Sequence, residues 1–552
     1  MSHINSRSVL AFVILLLKAN VAAAQLTTDE QRAFSFVNRH LFESHLKFLA
    51  NDLLEGRGPA TRGDTLTQKY LATQLQLLGL EPGGVDGTFF QSFPIVGTTA
   101  APSMELIARS GSSEQHFKFR EEFIGFSGLQ EENVEVANAE VVFVGYGIVA
   151  PEQKWDDYKN VDVKGKVLLM MNNDPDGSDP KFFGGKGRTY YGRWTYKYEI
   201  AARKGAIGAI IIHTTESAGY PFQVVQTSWT GENFSLADSK NETMKLKSWL
   251  SESASTRLVA MGGKNLLTLI KSAQSRKFKP VPLGVNVSAR IQNTFRHMTT
   301  ANVGGLLRGS DSLLSKELVI ISAHFDHLGI VKPVNGDSID NGAVDNASGV
   351  SMVLTLAEAF TRLTSKPKRS ILFLLVGGEE AGTLGSEYYA AHPTYAPGKI
   401  AANLNIDGVN MYGETRDLSM IGKGRSSVDR AVAEAAKIAG FVVTPDQFPE
   451  QGSFYRSDQF SFAAIGVPTA YFDTGTDFLG KPAGWGKMMA ENYNNNDYHQ
   501  PSDEIQKDWT YEGTIQQAKF YFHLVYRLAE DPAMPRWKKG DEFEGVRLKA
   551  LK

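Results

Sequence analysis

The sequence predicts an α/β fold with a mixed, largely parallel sheet and a β-rich region inserted into it. Three observations carry this expectation. The runs Leu318–Ser322, Ser370–Val376 and Ile400–Ile406 are apolar without alternation, as strands buried on both faces are. Helical periodicity follows each of them: Val350, Val353, Leu354, Ala357 and Phe360 after the first, then Leu384–Ala391, then Val428–Ala439. Between about Gly97 and about Pro282 the pattern changes to short β-like runs, Ala139–Tyr146, Val167–Met171 and Ala209–Ile212, separated by turns.

A chain of 552 residues is too long for one core, so at least two domains are expected. A formal net charge of −2 gives no reason to expect nucleic acid or an anionic membrane as partner. There is no cysteine, so any bound metal must be held by His, Asp and Glu. The start reads as an export signal over 1–24: Arg7, an apolar run Val9–Leu17, and Ala22-Ala23-Ala24 before Gln25. The run is short for a membrane span and Lys18 interrupts it; no other stretch is long and apolar enough to span a bilayer. Cleavage would release the protein into the periplasm or the medium.

Two helices are expected between Thr28 and Leu80, from Phe42, Leu46 and Leu49 and from Tyr70, Leu71, Leu75 and Leu78. The turn-rich segment Leu54–Pro59 joins them, with Arg62-Gly63 close behind. A strand is expected over Phe89–Val96. The Gly-rich segment Phe183–Arg188 lacks a preceding strand and a following Lys-Ser/Thr pair, which argues for a surface loop rather than a phosphate cradle. Val467–Phe472 reads as a further strand, Asn492–Asn496 as a loop, and Gly513–Ala529 as a closing amphipathic helix. The domains expected are 25–97 with 283–552 as one split unit and 98–282 as the insertion.

Candidate chemistry collects at strand ends. His324, Glu379-Glu380 and Asp407 each follow an apolar strand, and the carboxyl ends of parallel strands share one sheet edge, where ligands bind. Asp345 follows on the loop leaving the first strand, and His499 comes late, in Tyr498–Asp503. Two His with several carboxylates suit zinc, and cobalt or manganese suit the same donors. Two divalent ions would be neutralised by Asp345, Glu380, Asp407 and a hydroxide, as a buried site requires. Glu379 is then left over as a general base. Asp326 reads as a carboxylate orienting an imidazole, His327 as a neighbour pointing elsewhere, and Asp337 and Asp340 as solvated loop charges.

Taken in order, Ala323–Asp326, Gly342–Gly349, Gly378–Glu380, Asn405–Asp407 and Tyr498-His499 resemble the secreted di-zinc aminopeptidases of the glutamate carboxypeptidase and transferrin receptor superfamily. The resemblance implies a three-layer α/β/α zinc exopeptidase domain. Val144–Gly147 and Lys204–Ala209 resemble the protease-associated domain inserted in many members. It further implies that His324 and Asp407 hold one zinc, that Glu380 and His499 hold the other, and that Asp345 bridges them through a residue with a cis peptide bond to Asn346. Glu379 would be the base, and Tyr498 would help stabilise the oxyanion. Phe454–Gln459 resembles the substrate-pocket segment, which makes Arg456, Ser457 and Asp458 candidate substrate contacts; Gln459 stands where many relatives carry His. Peptides are the substrates implied. A carboxypeptidase on the same core would need Arg456 or the Arg57/Arg62 loop for the substrate carboxylate, and a receptor-like binding protein would have lost ligands that are all present here.

Overall fold

The computed structural model describes residues 27–175, 177, 179, 182–185, 187–218, 221–229, 231–237 and 244–552. The expected export signal, 1–24, lies outside them. Two compact units emerge. One runs up to Phe93 and includes Thr300–Gln447 and Ser457–Lys552; the other comprises Pro94–Thr299 and Phe448–Arg456. The joints expected at 97/98 and 282/283 therefore lie at 93/94 and 299/300, and Phe448–Arg456 leaves the expected 283–552 unit through two further joints at 447/448 and 456/457. A single strand, Val281–Leu307, runs through the second joint without a turn, so local composition gives no sign of it.

In the first unit, helices α1 (Arg39–Leu49) and α2 (Arg62–Leu77) precede strand β1 (Val281–Leu307, of which 300–307 belong here) and β2 (Leu318–His324). Then follow α3 (Gly349–Thr361), β3 (Ser370–Val376), α4 (Leu384–Ala391), β4 (Ile400–Asn405), β5 (Asp417–Ile421) and α5 (Asp429–Ala439). β6 (Val442–Pro445), β7 (Thr469–Thr474), α6 (Trp485–Asn496) and α7 (Glu512–Glu530) come after them. The sheet order is β1-β3-β2-β4-β7-β5-β6. β3, β2, β4 and β7 are mutually parallel, while β1 and β5 run antiparallel to their neighbours β3 and β7.

Side chains leave a strand alternately to its two faces, and both faces here are covered. Val319, Ile321 and Ala323 of β2 and Ile371, Phe373 and Leu375 of β3 join a core with α1, α3 and α7. Leu318, Ile320, Leu372, Leu374 and Val376 join a second core with Tyr389 of α4 and Phe462. This explains the uninterrupted apolar runs and makes the unit three-layered. Helix α3 carries apolar residues almost all round because it is buried almost all round.

Two local expectations change. Asn492–Asn496 is the last part of α6 rather than a loop; Asn496 donates to Asn492 one turn earlier, at 2.9 Å, which supports the helix. The Gly- and Asp-rich stretch after β2 contains a β-hairpin, Gly329–Val334 against Asp337–Asp340, whose base pairs Gly329 with Asp340.

The second unit has its own core. Its sheet runs Ser113–Phe117, Glu105–Ser110, the 281–299 part of β1, Asn133–Phe143, Val167–Met171, Gly208–His213, Leu246–Ser251 and Phe123–Phe126. It is strand-rich, yet its middle is parallel: helix Trp194–Arg203 carries the chain from Val167–Met171 to the neighbouring strand Gly208–His213. Among the described residues, no helix is long and apolar enough to cross a membrane.

Candidate metal centre

Strand register delivers the first donors. His324 closes β2 opposite Val376, the last residue of β3, and Ser322 pairs with Asn405, the last residue of β4. The Glu379-Glu380 pair and Asp407 leave those two strands within four residues of their ends. Gly378 turns the chain after β3 at φ +76°, a conformation an L side chain disfavours. α3 begins at Gly349, where a Cβ would lie 2.1 Å from Asn346 Oδ1 and 2.5 Å from the Ile406 carbonyl. That close approach lets Asn346 link the two loops. It donates to the Ile406 carbonyl (3.0 Å) and accepts from the Gly349 (2.9 Å) and Gly408 (3.0 Å) amides. The Asp345–Asn346 peptide bond is cis.

The donor atoms converge. Asp345 presents Oδ1 to His324 Nε2 at 3.1 Å and Oδ2 to His499 Nε2 at 3.4 Å. Asp407 Oδ1 is 3.2 Å from His324 Nε2, and Glu380 Oε2 is 3.2 Å from His499 Nε2. The five residues thus form two half-sites that share one carboxylate. His324 is 1% exposed and His499 33%, so the first half lies deeper than the second. His499 sits just past α6 in a left-handed turn (φ +58°), and the Tyr498 ring stacks on it with centroids 3.9 Å apart.

Supporting groups hold the donors. The Asp503 carboxylate accepts from the backbone amides of Val344 (3.0 Å) and Asp345 (3.1 Å). Ser457 Oγ donates to Asp407 Oδ2 (2.7 Å) and accepts from Asn405 Nδ2 (3.0 Å). Ser457 is therefore a buried brace for a candidate ligand, not a substrate contact. Gln459 is buried with it and accepts from the same Asn405 amide at 3.0 Å. Asp458 is buried, and burial pushes its carboxyl up to about 7. Arg456 is exposed and belongs to the second unit.

Asp326 needs a correction. Its carboxylate is 3.9 Å from His324 Nδ1, too far to orient the ring. The backbone carbonyl of Asp326 takes that contact at 3.2 Å, while the carboxylate accepts from the Glu379 (3.0 Å) and Glu380 (3.2 Å) amides and fixes the turn that carries them. Asp340 is likewise not solvated: it is fully buried, 3.0 Å from His327 Nε2. The His327 Nδ1 in turn lies 2.8 Å from Glu380 Oε1, so this imidazole faces the centre after all. The hairpin that folds Asp340 back onto His327 could not be read from composition. The sequence signal that was available is the His itself, three residues past a ligand-bearing strand end.

Arg57 is fully buried. It donates to the carbonyls of Leu49 (2.6 Å), Phe325 (2.7 Å), Asn341 (2.6 Å) and Gly342 (3.1 Å), the last three flanking His324 and Asp345. These bonds leave it no fork for a substrate carboxylate. The Leu54–Pro59 segment is a structural brace of the site.

The electrostatics sort the carboxyls. Burial favours the neutral acid, yet the imidazoles of His324 and His499 hold Asp345 well below the usual carboxylate range. Glu380, also opposed by burial, is held at about 2 by His499 and His327. Glu379 goes the other way: burial, with the charges of Glu380, Asp458 and Asp407, lifts it well above its ordinary value against the pull of His324. Glu379, with raised proton affinity, thus stands beside Asp345 and Glu380, whose carboxyls are held low.

The sequence model of peptidase family M28 matches residues 302–523. Aminopeptidase YwaD of Bacillus subtilis (strain 168) is 26% identical over 216 residues, 38% of this chain and 41% of that protein. A probable zinc metalloprotease of Pyrenophora tritici-repentis (strain Pt-1C-BFP) is 35% identical over 103 residues, 19% of this chain and 23% of that protein. This chain thus spans less than half the length of these curated relatives. A solved aminopeptidase from Aneurinibacillus sp. strain AM-1 superposes with a TM-score of 0.53 over 92% of this chain and 97% of that one, at 18% identity, so the fold is shared.

Proposed function

Because residues 302–523 match the sequence model of peptidase family M28, we propose that this protein is a zinc-dependent exopeptidase that removes N-terminal residues from peptides. The observation that carries the reading is Asp345, which offers one oxygen to each of two imidazoles, with one further carboxylate beside each. The residues fit two divalent ions. Asp345 Oδ1 and His499 Nε2 are buried without a hydrogen-bond partner, and the pairwise separations of 3.1–3.4 Å suit donors around a common ion. His324, Asp345 and Asp407 would hold one ion; His499, Asp345 and Glu380 would hold the other.

When bound, zinc would act as a Lewis acid on the scissile carbonyl and make water acidic enough to react near neutral pH. The remaining work falls to the chain. Glu379, free of the donor set and with raised proton affinity, takes the proton of the attacking water and returns it to the leaving amine. Asp326 keeps Glu379 in place by fixing the turn that carries it. Tyr498, 38% exposed with its ring stacked on His499, would donate its hydroxyl to the oxyanion. The second unit is proposed as a protease-associated domain. The features of residues 1–24 support export.

Hydrolysis of peptides by the mature protein tests the reading, using free-N-terminus peptides and their N-acetylated copies, before and after chelation and return of zinc. Release of N-terminal residues from the free peptides alone, abolished by chelator and restored by zinc, is expected. Cleavage of both sets from the C-terminus would replace it with a carboxypeptidase.

A further inference from the structure

His327 takes no part in the function proposed above, yet it is fully buried with a carboxylate oxygen beside each ring nitrogen. On one side Asp340, also fully buried, lies 3.0 Å from Nε2. Asp340 is fixed in turn by the hairpin base and by Gly56, where a Cβ would come within 2.4 Å of the Asp340 carbonyl. On the other side Nδ1 meets Glu380 at 2.8 Å, shorter than any of the 3.1–3.4 Å separations within the two half-sites. Neither of these two atoms has a hydrogen-bond partner, so the contact is one between an imidazole and a carboxylate rather than a hydrogen bond.

Which oxygen is touched matters most. His327 meets Oε1 of Glu380, while Oε2 faces His499. The other half-site repeats this division: Ser457 holds Oδ2 of Asp407, while Oδ1 faces His324. Each terminal carboxylate is thus engaged by one oxygen and offers the other.

Resting on the two-ion reading, we propose that His327, anchored by Asp340, is a positioning residue that occupies Glu380 Oε1 and leaves Oε2 as the single oxygen for the ion shared with His499 and Asp345. Left unengaged, the carboxylate could rotate or bind through both oxygens, and the site would lose affinity and definition.

Zinc binding by the chelator-stripped full-length mature protein provides the test, by competition against a chromophoric chelator. The wild type should take up two ions. His327→Ala should weaken one uptake step by about 10–100-fold and leave the other unchanged. Asp340→Asn should weaken the same step less. His327→Gln, which keeps a polar group at the position, should recover part of the loss, and it replaces the Ala variant as the readout if that variant fails to fold. Both steps unchanged in the Ala and Gln variants would overturn the inference while leaving the two-ion reading intact. X-ray absorption of the two-zinc wild type should count two imidazoles over the two ions; three would make His327 a ligand and overturn its positioning role. A wild type that takes up no second ion would remove the two-ion reading, and this inference with it.

Discussion

Replacing Ser457 by Ala removes one hydroxyl from behind Asp407 and almost nothing else. That hydroxyl donates to Oδ2 at 2.7 Å from a residue only 4% exposed, so water does not readily take its place. A hydrogen bond to a charged group is worth about 1.5–3 kcal/mol, and about 1.4 kcal/mol is a factor of ten in binding. The ion held by His324, Asp345 and Asp407 should therefore bind about 10–100-fold more weakly in Ser457→Ala. Damage to the fold should be small, because Asn405 Nδ2, which also donates to Ser457, keeps Gln459 Oε1 as a second acceptor at 3.0 Å. The assay is stepwise zinc competition alongside peptide turnover at saturating and at limiting zinc. Turnover should fall at limiting zinc and recover largely when zinc is raised, and Ser457→Thr should restore part of the affinity. Unchanged zinc affinity with a raised KM would refute the reasoning and return Ser457 to the role of a substrate contact.

Three other outcomes are expected. Glu379→Gln should keep both ions by metal analysis while turnover drops at least about 10²-fold; wild-type-like rates would remove Glu379 from the mechanism. Arg57→Met leaves buried carbonyls without a donor and should destabilise the first unit by about 3 kcal/mol or more in thermal melting; a variant that melts normally but shows altered KM would instead make Arg57 a substrate residue. In the second unit, Asp157 accepts from the Ile148 amide and the Trp155 indole, and burial lifts its carboxyl from 3.8 to about 7. The folded form therefore holds that proton where the unfolded chain has lost it, and stability from this group falls as pH rises from about 4 through about 7. Asp157→Asn should flatten that decline in urea denaturation; the same slope in wild type and variant would show that Asp157 is not its source.

Much of the centre was legible because its donors sit where chain geometry leaves little freedom. A strand buried on both faces announces itself as an unbroken apolar run, and the residue after its last apolar position lies at the sheet edge. His324, the Glu379-Glu380 pair and Asp407 were placed by that rule alone. What stayed hidden depends on choices finer than residue position. Asp326 is at the expected place but uses its carbonyl on His324 and its carboxylate elsewhere. Asp340 looked like an ordinary loop charge because the hairpin that buries it has mixed composition. Ser457 lies within the segment that resembles a substrate pocket and faces inward all the same. The joint near Thr300 was invisible because β1 continues through it.

The order of the donors along the chain also has a temporal meaning. His324, Asp345 and Asp407 are all synthesised before residue 408, as are the parallel strands β2, β3 and β4 that space them. His499 follows nearly a hundred residues later, on the far side of β7 and α6. A chain emerging from the ribosome or an export channel can therefore assemble one half of the centre while the other half lacks its imidazole. On the reading proposed above, the centre would thus stay chemically incomplete until His499 has been made.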